Sequence, residues 1–147
     1  KAIVVGNNST NGNGAYLALT GTWTNVSDAN KKEDFTLIKG STILEQVMKL
    51  PITRWKYKGS EDYHIGPTAQ DFYRIFKLGT DEVSISTIDP AGIALRAIQE
   101  LNLQLKEKEA MILALQDEVD QLKHLEGKVD ALEATLDTIQ RQIAARK

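Results

Sequence analysis

The spacing of apolar and polar positions changes twice along this 147-residue chain, and each regime predicts a different kind of structure. Over residues 1–26 short apolar runs alternate with turn formers. Ala2-Ile3-Val4-Val5 predicts a strand, and Gly6 through Gly14, rich in Gly and Asn, predicts turns with positions open to positive φ. Ala15-Tyr16-Leu17-Ala18-Leu19 predicts a second strand that ends near Gly21-Thr22-Trp23-Thr24-Asn25. Two short strands rarely stand alone, so identical chains are expected to pair here in an intertwined β stalk. A linker that happens to contain valines is the plainer alternative.

Residues 27–90 read as a compact block of about three strands and two helices. Ile43, Leu44, Val47 and Leu50 form the apolar stripe of a short helix, with Ser41 or Thr42 as the expected N-cap and Pro51 as the stop. Ile52 through Lys58 alternates with period two, which predicts a half-buried strand with Trp55 and Tyr57 inward. Gly59-Ser60-Glu61-Asp62 is a turn, and Tyr63 through Pro67 re-enters extended structure. Gln70 through Phe76 predicts a second helix ending at Gly79, and Val83 through Ile88 a last strand closed by Asp89-Pro90.

From Gly92 onward the spacing becomes that of one long helix. Ile98, Leu101, Leu105, Ile112, Leu115, Val119 and Leu122 fall on a and d positions of a heptad, with Lys108 as the polar d residue. A second phase runs through Leu125, Val129, Leu132, Leu136, Ile139 and Ile143, offset by a three-residue skip beside Gly127. A continuous coiled coil is the favoured reading, and a helical hairpin folding back at Gly127 is the alternative. β-Branched a residues with Leu at d lean toward two strands. The predicted fold class is therefore α+β. Residues 1–26 form the end of a β-rich stalk, 27–95 a small α+β block, and 96–147 a coiled-coil helix.

Composition narrows the function. A net charge of −2 and a pI near 5.7 supply neither a basic field nor a polybasic run, which argues against nucleic acid or a membrane surface as partner. The absence of cysteine excludes disulfides and thiol chemistry, and no apolar run approaches the ~18 residues of a membrane span. The chain opens on Lys1 without an initiator Met, so a fragment of a larger protein is expected. Of two histidines, His124 reads as a solvated helix residue. His64 reads as a packed core histidine or, alternatively, as a hydrogen-bonding neighbour of a reacting carbonyl. Neither makes a metal pair at helical spacing; no metal and no cofactor is expected. No P-loop, nucleophile elbow or dinucleotide fingerprint occurs.

That leaves Ser27 and Lys32, five positions apart where the stalk meets the block. A Ser–Lys pair runs acyl chemistry without histidine when desolvation or a nearby cation, here Lys31 beside Lys32, weakens the lysine's hold on its proton. Taken alone the spacing is a weak signal, common by chance, and an incidental surface turn leading into a domain accounts for it better.

The ordered set of motifs carries more. Ser27-Asp28, Lys32 and Phe35, then Val47 through Tyr57, then His64 through Phe72, then Ser86 through Leu101 together resemble the endosialidase-type intramolecular chaperone auto-processing domain. That family caps phage tail spikes, tail fibres and some bacterial surface fibres. Its signature is Ser-Asp, usually followed by arginine, with lysine five residues after the serine; here Ala29 stands at the arginine position. The resemblance implies a homotrimer in which the long helix forms a trimeric coiled coil, with the a and d residues above as its seam. That implication overrides the two-strand lean.

It further implies that the domain registers the upstream β-fibre part of the same chain and then cuts itself off at Val26–Ser27. Ser27 would be the nucleophile and Lys32 its base, with Asp28 and His64 as possible supporting residues. The setting implied is a phage tail or a bacterial surface fibre. The competing reading is a trimeric cap that stays attached, uncut, at the tip of a fibre or adhesin. Direct glycan binding lacks an aromatic platform in the sequence.

Overall fold

A computed structural model describes residues 4–5 and 14–145 of the chain. They separate into two compact units, Lys1–Glu100 and Leu101–Lys147, which are taken in turn.

The first unit opens with a three-stranded antiparallel sheet, β1 (Val4–Val5), β2 (Ala15–Leu17) and β3 (Trp23–Asn25), in that spatial order. The expected residues 2–3 of the first strand and the Gly/Asn turns over 6–13 lie outside the described residues. Trp23–Asn25, expected as the end of a strand, is a strand of its own. It folds back on β2 with Leu17 opposite Trp23 and Ala15 opposite Asn25. Gly21, at φ +83°, supplies the left-handed residue of the connecting turn.

The block that follows contains helix α1 (Gly40–Lys49), the hairpin of β4 (Thr53–Lys56) and β5 (Tyr63–Gly66), and helix α2 (Ala69–Phe76). The start of α1 corrects the sequence reading. Ser41 and Thr42 lie inside the first turn, the capping position is Lys39, and no side chain caps it. The stop is as expected: Pro51 disfavours helical backbone at the residue before it, and Leu50 is extended at φ −76°, ψ 118°.

Helix α2 has the reciprocal cap that α1 lacks. Thr68 Oγ1 accepts the Asp71 N–H at 3.1 Å and donates to Asp71 Oδ2 at 2.8 Å. Arg74 closes on the same carboxylate and, with Thr68, holds Asp71 below the usual carboxylate range. The helix stops before Gly79, because Lys77 itself turns left-handed at φ 55° and donates its N–H to Tyr73 O.

Two further expectations fail in this unit. Tyr57 lies beyond β4 and is exposed rather than inward, although its ring meets Trp55 edge-on at 5.0 Å. Val83 through Ile88 is not a strand, so the block has two strands, not three. Asp81 Oδ1 accepts the N–H groups of both Val83 and Ser84 at 2.8 Å, removing donors that a ladder would need. Those bonds, Val83 first, lower the Asp81 pKa. Asp89-Pro90 closes no strand but opens helix α3 (Asp89–Ala144), three residues ahead of the predicted Gly92 start; proline suits a first turn because no N–H is needed there.

Among the described residues three apolar side chains are buried, Ile43, Phe72 and Ala97, one from each helix. Gln46 Nε2 adds a bond from α1 to Ile75 O of α2 at 2.9 Å. A core of three side chains is small for a unit of this length.

The second unit is the remainder of α3, helical without interruption through Gly127 as far as Ala144, so the hairpin alternative is not adopted. Its apolar stripe has no cover among the described residues: Leu101, Leu105, Ile112, Leu115, Val119 and Leu122 stay 46–58% exposed. Ile98, in the first unit, is exposed as well, as is the second phase from Leu125 to Ile143. No helix among the described residues is long and apolar enough to cross a membrane.

Candidate functional site

The junction between sheet and block is built by consecutive local hydrogen bonds. Val26 donates its N–H to Gly14 O at 2.8 Å, just past the end of β3, so the sheet fixes the residue whose carbonyl precedes Ser27. The chain then leaves the sheet. Asp28, extended at φ −67°, ψ 128°, caps a 3₁₀ turn over Ala29–Lys31. Its carboxylate accepts both the backbone N–H and the side-chain amide of Asn30, each at 3.0 Å. Lys31 and Lys32 return their N–H groups to Asp28 O and Ala29 O.

One tight turn reverses the chain enough for the fifth residue after Ser27 to reach back. Lys32 Nζ donates to Ser27 Oγ at 2.7 Å. That separation is within the reach of direct proton transfer. Both side chains are exposed in the single chain. Asp34, two residues on, is left-handed at φ 57°, a conformation that Asp tolerates better than most residues. Ala29 sits in the turn itself, where a methyl offers no hydrogen-bond donor.

The other candidate residues fall differently. The Asp28 carboxylate bonds Asn30 rather than Ser27 or Lys32, and so shapes the turn that joins them. His64 is exposed on β5 opposite Trp55, not a packed core histidine. Its ring lies 4.8 Å from Trp55 and 5.7 Å from Tyr57, and among the described residues no hydrogen bond joins it to Ser27 or Lys32. His124 is exposed on α3. No group of three or more potential metal ligands occurs among the described residues.

Sequence reasoning missed the contacts that hold the two ends of this segment. Asn25 Nδ2 donates to Thr87 Oγ1 at 3.3 Å, and Arg96 Nε donates to Ile38 O at 3.0 Å. These partners are 62 and 58 residues apart, and neither motif nor period marks them.

A model of the family described as chaperone of endosialidase matches residues 27–79. Neither the curated proteins nor the solved structures compared with the chain give a match. The matched segment starts at Ser27, two residues past the end of β3, and runs through α1, β4, β5 and α2. That match supports an endosialidase-type C-terminal chaperone domain that includes residues 27–79.

Proposed function

We propose that this chain trimerises, registers the fibre portion of the same polypeptide, and then releases itself by one self-cleavage at Val26–Ser27. The family carries the coarser part: a chaperone acting on an associated upstream fibre, in the phage tail or fibre context. The observation that carries the finer part is the 2.7 Å contact between Lys32 Nζ and Ser27 Oγ, next to Val26, whose N–H is held by Gly14 O.

The chemistry is intramolecular. With its proton lost, Lys32 Nζ takes the proton of Ser27 Oγ, and the oxygen attacks the carbonyl carbon of Val26. The Val26–Ser27 C–N bond breaks, the nitrogen takes up the proton, and an ester joins the Val26 acyl group to Ser27 Oγ. Water then adds to the ester, leaving a carboxylic acid at Val26 and restoring the Ser27 hydroxyl. One water is consumed for one peptide bond. Because nucleophile and target are neighbours, positioning supplies much of the rate.

Assembly supplies the missing desolvation. A lysine serves as base only where burial or a nearby cation favours its neutral form, and Lys32 is exposed in the single chain. The three-residue core and the uncovered stripe on α3 favour association with further copies. In the trimer the a and d residues of 96–147 form the seam, 27–95 is the chaperone block, and 1–26 belongs to the stalk. Local helical contacts form faster than non-local β pairing, so the coil holds three slow strands together while they fold.

Ala29, in place of the family's usual arginine, favours a second reading: a trimeric cap that stays uncut. Denaturing electrophoresis of a freshly expressed chain with its upstream segment separates the two, with Ser27→Ala and Lys32→Ala alongside. Self-cleavage gives two fragments from the parent chain and one band from each variant. A parent chain that stays whole while trimeric supports the cap.

A further inference from the structure

We infer that Arg96 is a positioning residue for the Ser27–Lys32 pair, acting from the start of α3 on the far end of the segment that carries them. This rests on the self-cleavage reading above.

Residues 26–38 have few holds. Inside the segment every hydrogen bond described is local: the Asp28 cap, the 3₁₀ turn and the Lys32–Ser27 contact. A loop of that length held at one end samples many geometries, because each free residue keeps its backbone entropy. Here both ends are fixed, and both fixings reach the same stretch of chain. Upstream of the scissile bond, Val26 is bonded to Gly14 O and Asn25 to Thr87, just before α3. Downstream, Arg96 bonds the carbonyl of Ile38.

The Arg96 hold is built rather than incidental. Arg96 also pairs with Glu100 at 3.7 Å, with the two side chains 28% and 16% exposed. Gly40 lies directly beneath them: a Cβ there would overlap the Arg96 guanidinium and the Glu100 carboxylate. The absence of a side chain at position 40 lets Arg96 lie flat across the chain two residues after Ile38. The same helix carries Ala97, one of the three buried apolar side chains. Arg96 therefore ties the dyad segment to the helix whose stripe would join copies, and a helix seated correctly fixes the segment through it.

The test uses the full chain with its upstream segment. Arg96→Met keeps the aliphatic stem and removes the donor, while Arg96→Lys keeps a cationic donor. Three readouts are taken: the first-order cleavage rate, the solution mass of the assembly, and amide hydrogen exchange of residues 27–38. The expected result is a cleavage rate about 10–100-fold lower in Arg96→Met, partly restored in Arg96→Lys, with unchanged solution mass. Faster exchange of the Lys31 and Lys32 amides should accompany it. Cleavage of Arg96→Met at the parental rate overturns the inference, as does a loss that merely follows loss of assembly. Should the parent chain itself stay uncut, the self-cleavage reading fails, and exchange decides the tether alone. Faster exchange at Lys31 and Lys32 in Arg96→Met supports it, and unchanged exchange overturns it.

Discussion

Gly40→Ala sets two effects of opposite sign against each other, and the structure says which wins. Alanine is favoured over glycine in a helix by about 0.5–1 kcal/mol, and Gly40 is the first residue of α1. On that ground alone the substitution stabilises. The added Cβ, however, falls where the Arg96 guanidinium and the Glu100 carboxylate lie. These are ends of flexible side chains, so they move aside rather than strain the backbone, and the loss is of their interactions. The Arg96–Ile38 bond has a charged donor, a class worth about 1.5–3 kcal/mol, taken at its low end because Arg96 is partly exposed. The Arg96–Glu100 pair adds about 0.2–1 kcal/mol.

The net expectation is destabilisation of the first unit by about 1 kcal/mol. Urea unfolding at one fixed protein concentration measures it, since association shifts apparent stability. In an Arg96→Met background the overlap has less to displace, so the same substitution should be neutral or stabilising, giving a coupling of about 1 kcal/mol. Gly40→Ala stabilising the parent chain by the full helix-propensity gain, or strict additivity in the double variant, would refute the account of Gly40 and Arg96.

Three shorter predictions follow from other parts of the chain. Asp28→Ala removes the cap of the 3₁₀ turn at a cost of about 1 kcal/mol locally; it should slow cleavage while leaving the solution mass of the assembly unchanged. Ile112→Asp places a charge in the proposed seam, where burial without a partner is costly; sedimentation should show loss of the trimer, and cleavage should vanish with it. Asp71 and Asp81 have lowered pKa values, Asp71 chiefly through Arg74 and Asp81 chiefly through the Val83 N–H. A carboxylate lowered on folding contributes stability above its unfolded value and loses it as pH falls through the folded one. Asp71→Asn and Asp81→Asn should therefore each flatten the acid limb of stability below the usual carboxylate range and weaken the fold least once the parent's carboxylates are protonated. Acid titration followed by circular dichroism reads this.

The parts legible in the sequence were those in which local pattern decides structure. The three-four spacing from Ile98 to Ile143 repeats often enough that one poor helix former, Gly127, does not break it, and α3 runs through. Ser27 and Lys32 were legible because a single turn joins them. The stop of α1 was legible because proline acts on its immediate neighbour. Reading failed where a side chain competed with the pattern. Val83-Ser84-Ile85 alternates as a strand should, but Asp81 takes the N–H groups first. Tyr57 continues the alternation of β4 yet lies past its last pair, Lys56 with Tyr63.

The contacts of Arg96 with Ile38 and of Asn25 with Thr87 join residues that only the tertiary fold brings together. Period and motif do not record sequence separations of that size. Gly40 belongs with them. From sequence it is a poor helix start; in the structure it is the space that Arg96 and Glu100 occupy.

The most direct test of self-cleavage is the intact mass of the C-terminal product from an assembled chain that keeps its upstream segment. The account predicts a fragment beginning at Ser27, its amount fixed by Ser27 and Lys32, with nothing released from Ser27→Ala. An assembled parent chain that remains a single mass, or a fragment beginning at any other residue, would contradict it.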